Sequence, residues 1–194
     1  MYNGAMEIRS ERLVLRPLGP EYLESTHVYV SDPENTRLMM FLPNESLEET
    51  ADYLRCCAEE WAKPEPAIYE FAVLLNGAHI GHVTLELNGT RDTAELAWIL
   101  HPAHHGRGYA VEAARAMMTY ARESLGITRF IAHCDSENAA SQAVMRKLGL
   151  VLTDATGTRK NRGSDDLRRE YLYETPFQKP SPLGEGGSRA ARDG

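Results

Sequence analysis

Between Leu100 and Val111 the chain reads His101-Pro102-Ala103-His104-His105-Gly106-Arg107-Gly108-Tyr109-Ala110, a glycine-rich turn running into apolar residues at helical spacing. The first N–H groups of a helix have no internal partners, and the helix dipole favours negative charge beside them. Gly106 and Gly108 carry no side chain that would hold an anion away from the backbone. The chemistry open to such a turn is the binding of a phosphate by the N–H groups from Gly106 to Ala110. Two nucleotide loops do not fit. Tyr109 and Ala110 follow Gly108 where a mononucleotide loop needs Lys and Ser/Thr, and Val111 stands where a dinucleotide loop needs its third glycine.

Glu95 is the candidate for proton transfer. It lies in an apolar strand over 93–100, whose alternation puts Glu95, Ala97 and Ile99 on one face and Leu96, Trp98 and Leu100 on the other. A carboxylate there is either desolvated and suited to act as a base, or paired with an arginine. His101, His104 and His105 invite a metal reading. They fall in a turn rather than on one helix face, no glutamate accompanies them as in the zinc-protease motif, and Cys134 is the only other soft ligand nearby, so no metal is expected.

Four segments in order carry a family resemblance. His105 to Ala110 resembles the pattern Gln/Arg-x-x-Gly-x-Gly/Ala, the pyrophosphate loop of the GNAT superfamily of acyl-CoA-dependent N-acetyltransferases. Asn138-Ala-Ala-Ser141-Gln-Ala-Val144-Met145-Arg146-Lys147-Leu148-Gly149-Leu150 is similar to its later cofactor motif, Asn-x-x-Ser-x-x-Val-x-x-Lys-x-Gly-Phe. Glu11-Arg12-Leu13-Val14-Leu15-Arg16-Pro17 is similar to the first strand of the RimJ/RimL-like branch, which acetylates protein N-termini and some small amines. Glu95-Leu-Ala-Trp98-Ile-Leu100-His-Pro102 resembles the central strand of that branch.

The resemblance implies acetyl transfer from acetyl-CoA to a primary amine by direct attack in a ternary complex. The acceptor is first a protein or peptide N-terminus and next a small-molecule amine. It implies a cofactor site made of Ile99, Leu100, His101, His105, Gly106, Arg107, Gly108, Tyr109, Ala110, Asn138 and Ser141. Ile99 and Leu100 would pair their backbone with the pantetheine arm, and Asn138 would hydrogen-bond the same arm or cap a helix. His105 stands where the family has Gln or Arg and brings no permanent charge. The family's thiolate-protonating tyrosine is replaced by Met145, which has no proton to give. In the RimJ/RimL-like branch the position of Ser141 has been proposed as the acid instead; the alternative is that Ser141 caps the turn. Glu95 would be the base. Met145 and His105 also leave open a non-catalytic CoA-binding or regulatory module.

The elements that would position these groups read as follows. Residues 8–18 form a strand and 21–30 and 46–61 form helices. The segment 31–44 is irregular, and its run Leu38-Met39-Met40-Phe41-Leu42 must be covered, by the core or as the wall of an acceptor or pantetheine channel. Strands 68–75 and 79–87 flank Asn76-Gly77, a hairpin signal. A helix over 107–125 turns Glu112, Arg115 and Arg122 outward and stops at Gly126. A strand over 129–134, a short helix ending at Gly149 and a final strand over 168–177 follow, with 156–165 taken as an acceptor loop. The expected fold is α/β (α+β): one GNAT-like domain over 8–177, with a mixed, mostly antiparallel sheet splayed in the middle and helices on both faces. Residues 1–7 and 178–194 are expected to be flexible tails.

At 194 residues the chain is long enough for one domain with a core. No apolar run approaches the roughly 20 residues of a bilayer span, and the start has no signal-peptide pattern. Three cysteines, two of them the adjacent Cys56 and Cys57, read as reduced thiols in a cytoplasmic protein. A net charge of −7 argues against nucleic acid as partner; it suits a cationic acceptor or solubility alone. A monomer or homodimer is expected.

Overall fold

The computed structural model describes residues 6–40, 43–161 and 165–176. The expected tails fall almost wholly outside that range, as do Phe41, Leu42 and Phe177. Eight strands form one sheet in the order β1-β2-β3-β4-β5-β6-β8-β7. They are β1 (Ile8–Arg9), β2 (Leu13–Pro17), β3 (Ile68–Leu75), β4 (Ala78–Leu87), β5 (Thr93–Leu100), β6 (Arg129–Asp135), β7 (Val151–Arg159) and β8 (Arg168–Glu174). The helices are α1 (Leu23–Val30), α2 (Pro33–Thr36), α3 (Leu47–Trp61), α4 (Tyr109–Leu125) and α5 (Ala139–Lys147). Every pairing is antiparallel except β5 with β6.

That exception opens the sheet. β5 and β6 run side by side only over Thr93–Ala94–Glu95 against Arg129–Phe130–Ile131, and they part beyond Glu95. On one face α4 closes the main core, where Met117, Met118 and Ala121 pack with Leu13, Leu15, Phe71, Val83, Leu85, Leu96 and Phe130. On the other face α1 and α3 cover a thinner layer in which Leu54 and Cys57 meet Leu18 and Ala72, and Tyr29 and Val30 meet Ile99. The face assignment of β5 holds: Leu96 and Leu100 belong to the main core and Ile99 to the opposite one.

Local chemistry explains the joints. Asn76 and Gly77 both take positive φ, 51° and 83°, which is the two-residue turn that matches strand twist. Ser46 caps α3 by accepting from the Glu49 N–H, and Gly126 ends α4 at φ 72°. Gly81, at φ 148°, lets β4 press on β5: a Cβ there would stand 2.4 Å from the Ile99 carbonyl oxygen.

Three expectations need correction. The first strand is not continuous over 8–18; it folds back at Ser10–Arg12 as the hairpin of β1 and β2. The cause is Glu112, read from the helix pattern as outward. Its carboxylate accepts from Ser10 Oγ, the Arg12 N–H and Arg12 Nε, each at 2.7 Å, so it holds the turn against α4. The acceptor loop placed at 156–165 begins too early, because residues up to Arg159 belong to β7. That strand is exposed over its first four residues, covers only Ala155, Gly157 and Arg159 in part beyond them, and has two register shifts against β8, so it carries no apolar alternation.

Candidate active site

Beyond Glu95 the split between β5 and β6 widens into a cleft of about 500 Å³. Its walls come from β3, β4 and β5, from β6 and the start of α5, and from Leu38, Met39 and Met40. The apolar run therefore serves as channel wall over those three residues, while Met39 also packs against the Tyr29–Val30–Ile99 layer. A larger, shallower groove of about 780 Å³ runs along α4 past Arg12, Gly108, Arg115 and Lys147. It borders the glycine turn and contains none of Glu95, Asn138 or Ser141.

Register fixes what faces the cleft. Glu86 of β4 lies directly opposite Glu95 of β5. The neighbouring row is Glu70, Thr84 and Ala97, and the next is Ala72, His82 and Ile99. Side chains of one row share a face, so three carboxylates and a histidine line one side of the sheet next to the split.

Glu95 is paired, though not with an arginine. Its Oε1 lies 2.8 Å from His133 Nδ1 on the parting strand β6. The hydrogen bond to Glu95 holds His133 above its ordinary value, against the effect of partial burial. Oε2 of Glu95 has no partner among the described residues.

On the α5 side, Asn138 caps the helix: its Oδ1 accepts from the Ser141 N–H at 2.9 Å. Its Nδ2 donors remain free of protein partners among the described residues, at the cleft wall. The cap on this turn is thus Asn138, and the hydroxyl of Ser141 lines the cleft without a hydrogen bond of its own. Met145 is buried in the main core, and Tyr173 packs in that core with its hydroxyl 3.3 Å from Arg146 Nη1.

The glycine turn has the geometry an anion needs. Gly106 and Gly108 sit at φ 73° and 81°, and Gly108 is the N-cap of α4, which no side chain caps. Nothing crowds Gly106, and Arg12 Nη2 at 3.6 Å is the nearest atom to a Cβ built on Gly108. The first N–H groups of a 17-residue helix are therefore open to a ligand. Arg12 steadies this end. It donates to the Arg107 carbonyl at 3.2 Å, and its guanidinium lies 4.6 Å from the centre of the Tyr109 ring, which is itself buried.

The two histidines expected at the cofactor hold the loop. His101 Nδ1 accepts from the Ala103 N–H at 3.1 Å, and His105 Nε2 lies 2.9 Å from the Leu100 carbonyl. That carbonyl also accepts from Asn35 Nδ2 at 3.2 Å, so two side chains already hold it at the end of β5. No group of three or more His, Cys, Asp or Glu side chains placed to hold a metal forms among the described residues.

One set of residues in the cleft carried no motif. Glu70, His82, Tyr53 and Tyr29 come from β3, β4, α3 and α1 and are joined by hydrogen bonds, the first three at the cleft wall. Burial pushes Glu70 up to about 7, although hydrogen bonds from Tyr53 and Thr84 act the other way. Burial also drives His82 down to about 3 and His79 to about 4, so both rings are neutral. The available signal was polarity at the second, buried face of strands that otherwise read as apolar.

The sequence matches the family model of the acetyltransferase (GNAT) domain over residues 12–151. It is 28% identical over 147 residues to the uncharacterized N-acetyltransferase YnaD of Bacillus subtilis, covering 75% of this chain and 82% of that protein. It is 29% identical over 136 residues to a spermidine N(1)-acetyltransferase of Escherichia coli, covering 70% of each. The fold is also that of RimL, a ribosomal L7/L12 alpha-N-protein acetyltransferase solved in complex with coenzyme A. There the TM-score is 0.75 at 21% identity, over 87% of this chain and 97% of that one.

Proposed function

Since the chain belongs to the GNAT acetyltransferase family and is an N-acetyltransferase, we propose that it acetylates a primary amine in the split beyond Glu95, with acetyl-CoA as donor. The carrying observation is the parting of β5 from β6. It opens a cleft lined by carboxylates, by Asn138 and by Ile99 near the end of β5, from which the chain runs through the glycine turn into the uncapped start of α4.

The residues present fit the donor. Backbone N–H groups from Gly106 to Ala110 would hold its pyrophosphate, and Asn138 Nδ2 and the backbone of Ile99 its pantetheine arm, the Leu100 carbonyl being already held by His105 and Asn35. When bound, acetyl-CoA supplies a thioester carbonyl open to attack by an uncharged amine. The chain's own work is to orient the amine, move protons and keep the donor in place, and proximity supplies much of the rate. Glu95 Oε2 receives a proton from nitrogen as the amide forms, while His133 fixes Oε1. Ser141 Oγ, free of cap duty, carries a proton toward the departing sulfur in place of the tyrosine that Met145 displaces.

The acceptor we propose is a peptide N-terminus. A small polyamine is the second reading, favoured by the carboxylates of Glu70, Glu86 and Glu95 in two adjacent rows of one sheet face, which suit a second positive charge. Thiol release from acetyl-CoA tests this, with a peptide beginning in serine and with spermidine as acceptors. Turnover of the peptide, with that of spermidine weaker, is expected. A protein that binds acetyl-CoA and releases no thiol with any amine would be a non-catalytic CoA-binding module.

A further inference from the structure

The reaction above leaves unused a hydrogen-bonded set of polar side chains at one wall of the cleft. Tyr53 donates its hydroxyl hydrogen to Glu70 Oε2. The same Tyr53 oxygen lies 3.3 Å from His82 Nε2, and Tyr29 Oη lies 2.8 Å from His82 Nδ1. A tyrosine has one hydrogen to give, and that of Tyr53 points at Glu70. His82 must therefore carry its hydrogen on Nε2 and donate to Tyr53, which leaves Nδ1 to accept from Tyr29. Every hydrogen bond runs one way, from Tyr29 through His82 and Tyr53 to Glu70. Bonds aligned in this way polarise one another toward the end of the chain. The end is a carboxylate at the cleft wall.

Its placement suits an incoming amine. Glu70 shares its row with Thr84 and Ala97, so the side chains shrink toward β5 and the split. Glu95 stands in the adjacent row on the same face. The fold thus presents two carboxylates of different character: Glu95, partly exposed and paired with His133, and Glu70, nearly enclosed and held by a neutral network.

We propose that Glu70 is a second catalytic carboxylate, which takes the proton from an acceptor that arrives as an ammonium ion. The assignment rests on the amine acetylation proposed above. In the step, one N–H bond of the ammonium breaks, its electron pair stays on nitrogen, and the proton goes to a carboxylate oxygen of Glu70. The products are a neutral amine and a carboxylic acid, which later returns its proton to water. Amide formation sheds a further proton from nitrogen, and Glu95 receives that one.

The groups facing Glu70 are Tyr53 and Cys57 from α3, Tyr29 from α1, and His82 and Glu86 from β4. None is a cation that would keep Glu70 acidic, because His82 is neutral. A base near 7 matches an α-amino group, at about 7.7–8.0, better than an alkylamine such as lysine, at about 10.4. The network therefore favours a peptide N-terminus over a polyamine.

The test compares an acceptor that must lose a proton with one that need not. The first is the faster of the serine peptide and spermidine; the second is hydroxylamine, uncharged at neutral pH. Glu70→Gln should slow the cationic acceptor at least tenfold more than hydroxylamine and remove the acidic limb of its pH profile near pH 7. Glu95→Gln should slow both alike. Tyr53→Phe deletes a hydrogen bond that lowers Glu70, so the acidic limb should move to higher pH. Equal slowing of both amines in Glu70→Gln, or an unmoved limb in Tyr53→Phe, overturns the role of Glu70 while acetylation stands. Should Glu70→Gln not fold, Tyr53→Phe decides alone. Wild-type protein that turns over none of the three amines overturns the acetylation reading and this assignment with it.

Discussion

His133 and Glu95 face each other across the two strands at the point where they part, with Nδ1 2.8 Å from Oε1. Glu95 is the last β5 residue paired with β6, opposite Ile131, and His133 lies two positions further along β6, so the pair bridges the strands where the cleft begins. It fixes one carboxylate oxygen and turns the other to the cleft.

Replacing Glu95 by Gln should therefore return the His133 imidazole toward its ordinary value of 6.5, since the Glu95 hydrogen bond is the main cause of its elevation. Proton NMR of the ring across pH 5 to 9 reads this directly. The sign for stability follows: the pair contributes fully below 6.5 and loses its contribution as pH rises through the higher folded-state value. Both partners are about one-third exposed, so the effect on stability is small. Turnover in Glu95→Gln should fall by a hundredfold or so, within the usual range for losing a general base.

Gly108→Val should abolish binding of acetyl-CoA. A Cβ at Gly108 meets only Arg12 on the protein side, so the helix behind it can form. A branched side chain at φ 81° is strained by about 1–3 kcal/mol and puts methyl groups where phosphate oxygens must reach the N–H groups. Calorimetry should show at least a tenfold loss of affinity in a folded variant. Wild-type affinity would remove the turn from the site.

Gly81→Ala attacks the split from behind. Its Cβ would lie 2.4 Å from the Ile99 oxygen and 2.6 Å from the Leu100 Cα, both backbone, so β4 and β5 must separate. A loss of at least ~2 kcal/mol in urea unfolding is expected, with weaker acetyl-CoA binding because the end of β5 shifts. A variant as stable as wild type would show that the two strands can slide apart freely.

Acid should destabilise the protein above the ordinary carboxylate range. Below pH 6.5 the unfolded chain protonates His79 and His82, which burial holds near 4 and near 3 in the native state. Glu70 opposes this, because the native state protonates it at about 7 and the unfolded chain only near 4.5. Between pH 6 and 4.5 the unfolded state thus holds one more of these three protons, and stability falls on the order of 1 kcal/mol per pH unit. His79→Phe, which preserves ring packing against Tyr22 and Tyr29, should flatten that slope. Urea midpoints at half-unit pH steps would reveal a wild-type slope of the opposite sign if the histidines were charged.

What could be read from the chain was local. The glycine turn, the α4 stripe, the Asn76-Gly77 hairpin and the Asn138 cap each depend on residues within a few positions of one another, so spacing alone carries them. The apolar strands β3, β4, β5 and β6 were legible for the same reason. Three features were decided by tertiary structure. β7 is an edge strand bonded to β8, and the residues it half-buries, Ala155, Gly157 and Arg159, are not a run of large apolar side chains, so no apolar pattern marks it. Glu112 turns inward because the β1–β2 hairpin offers it three donors from residues a hundred positions away. Glu70 gains its character from Tyr29, Tyr53 and His82, brought together from four separate elements. A carboxylate is set by what surrounds it, and those surroundings exist only once helices have closed over the sheet.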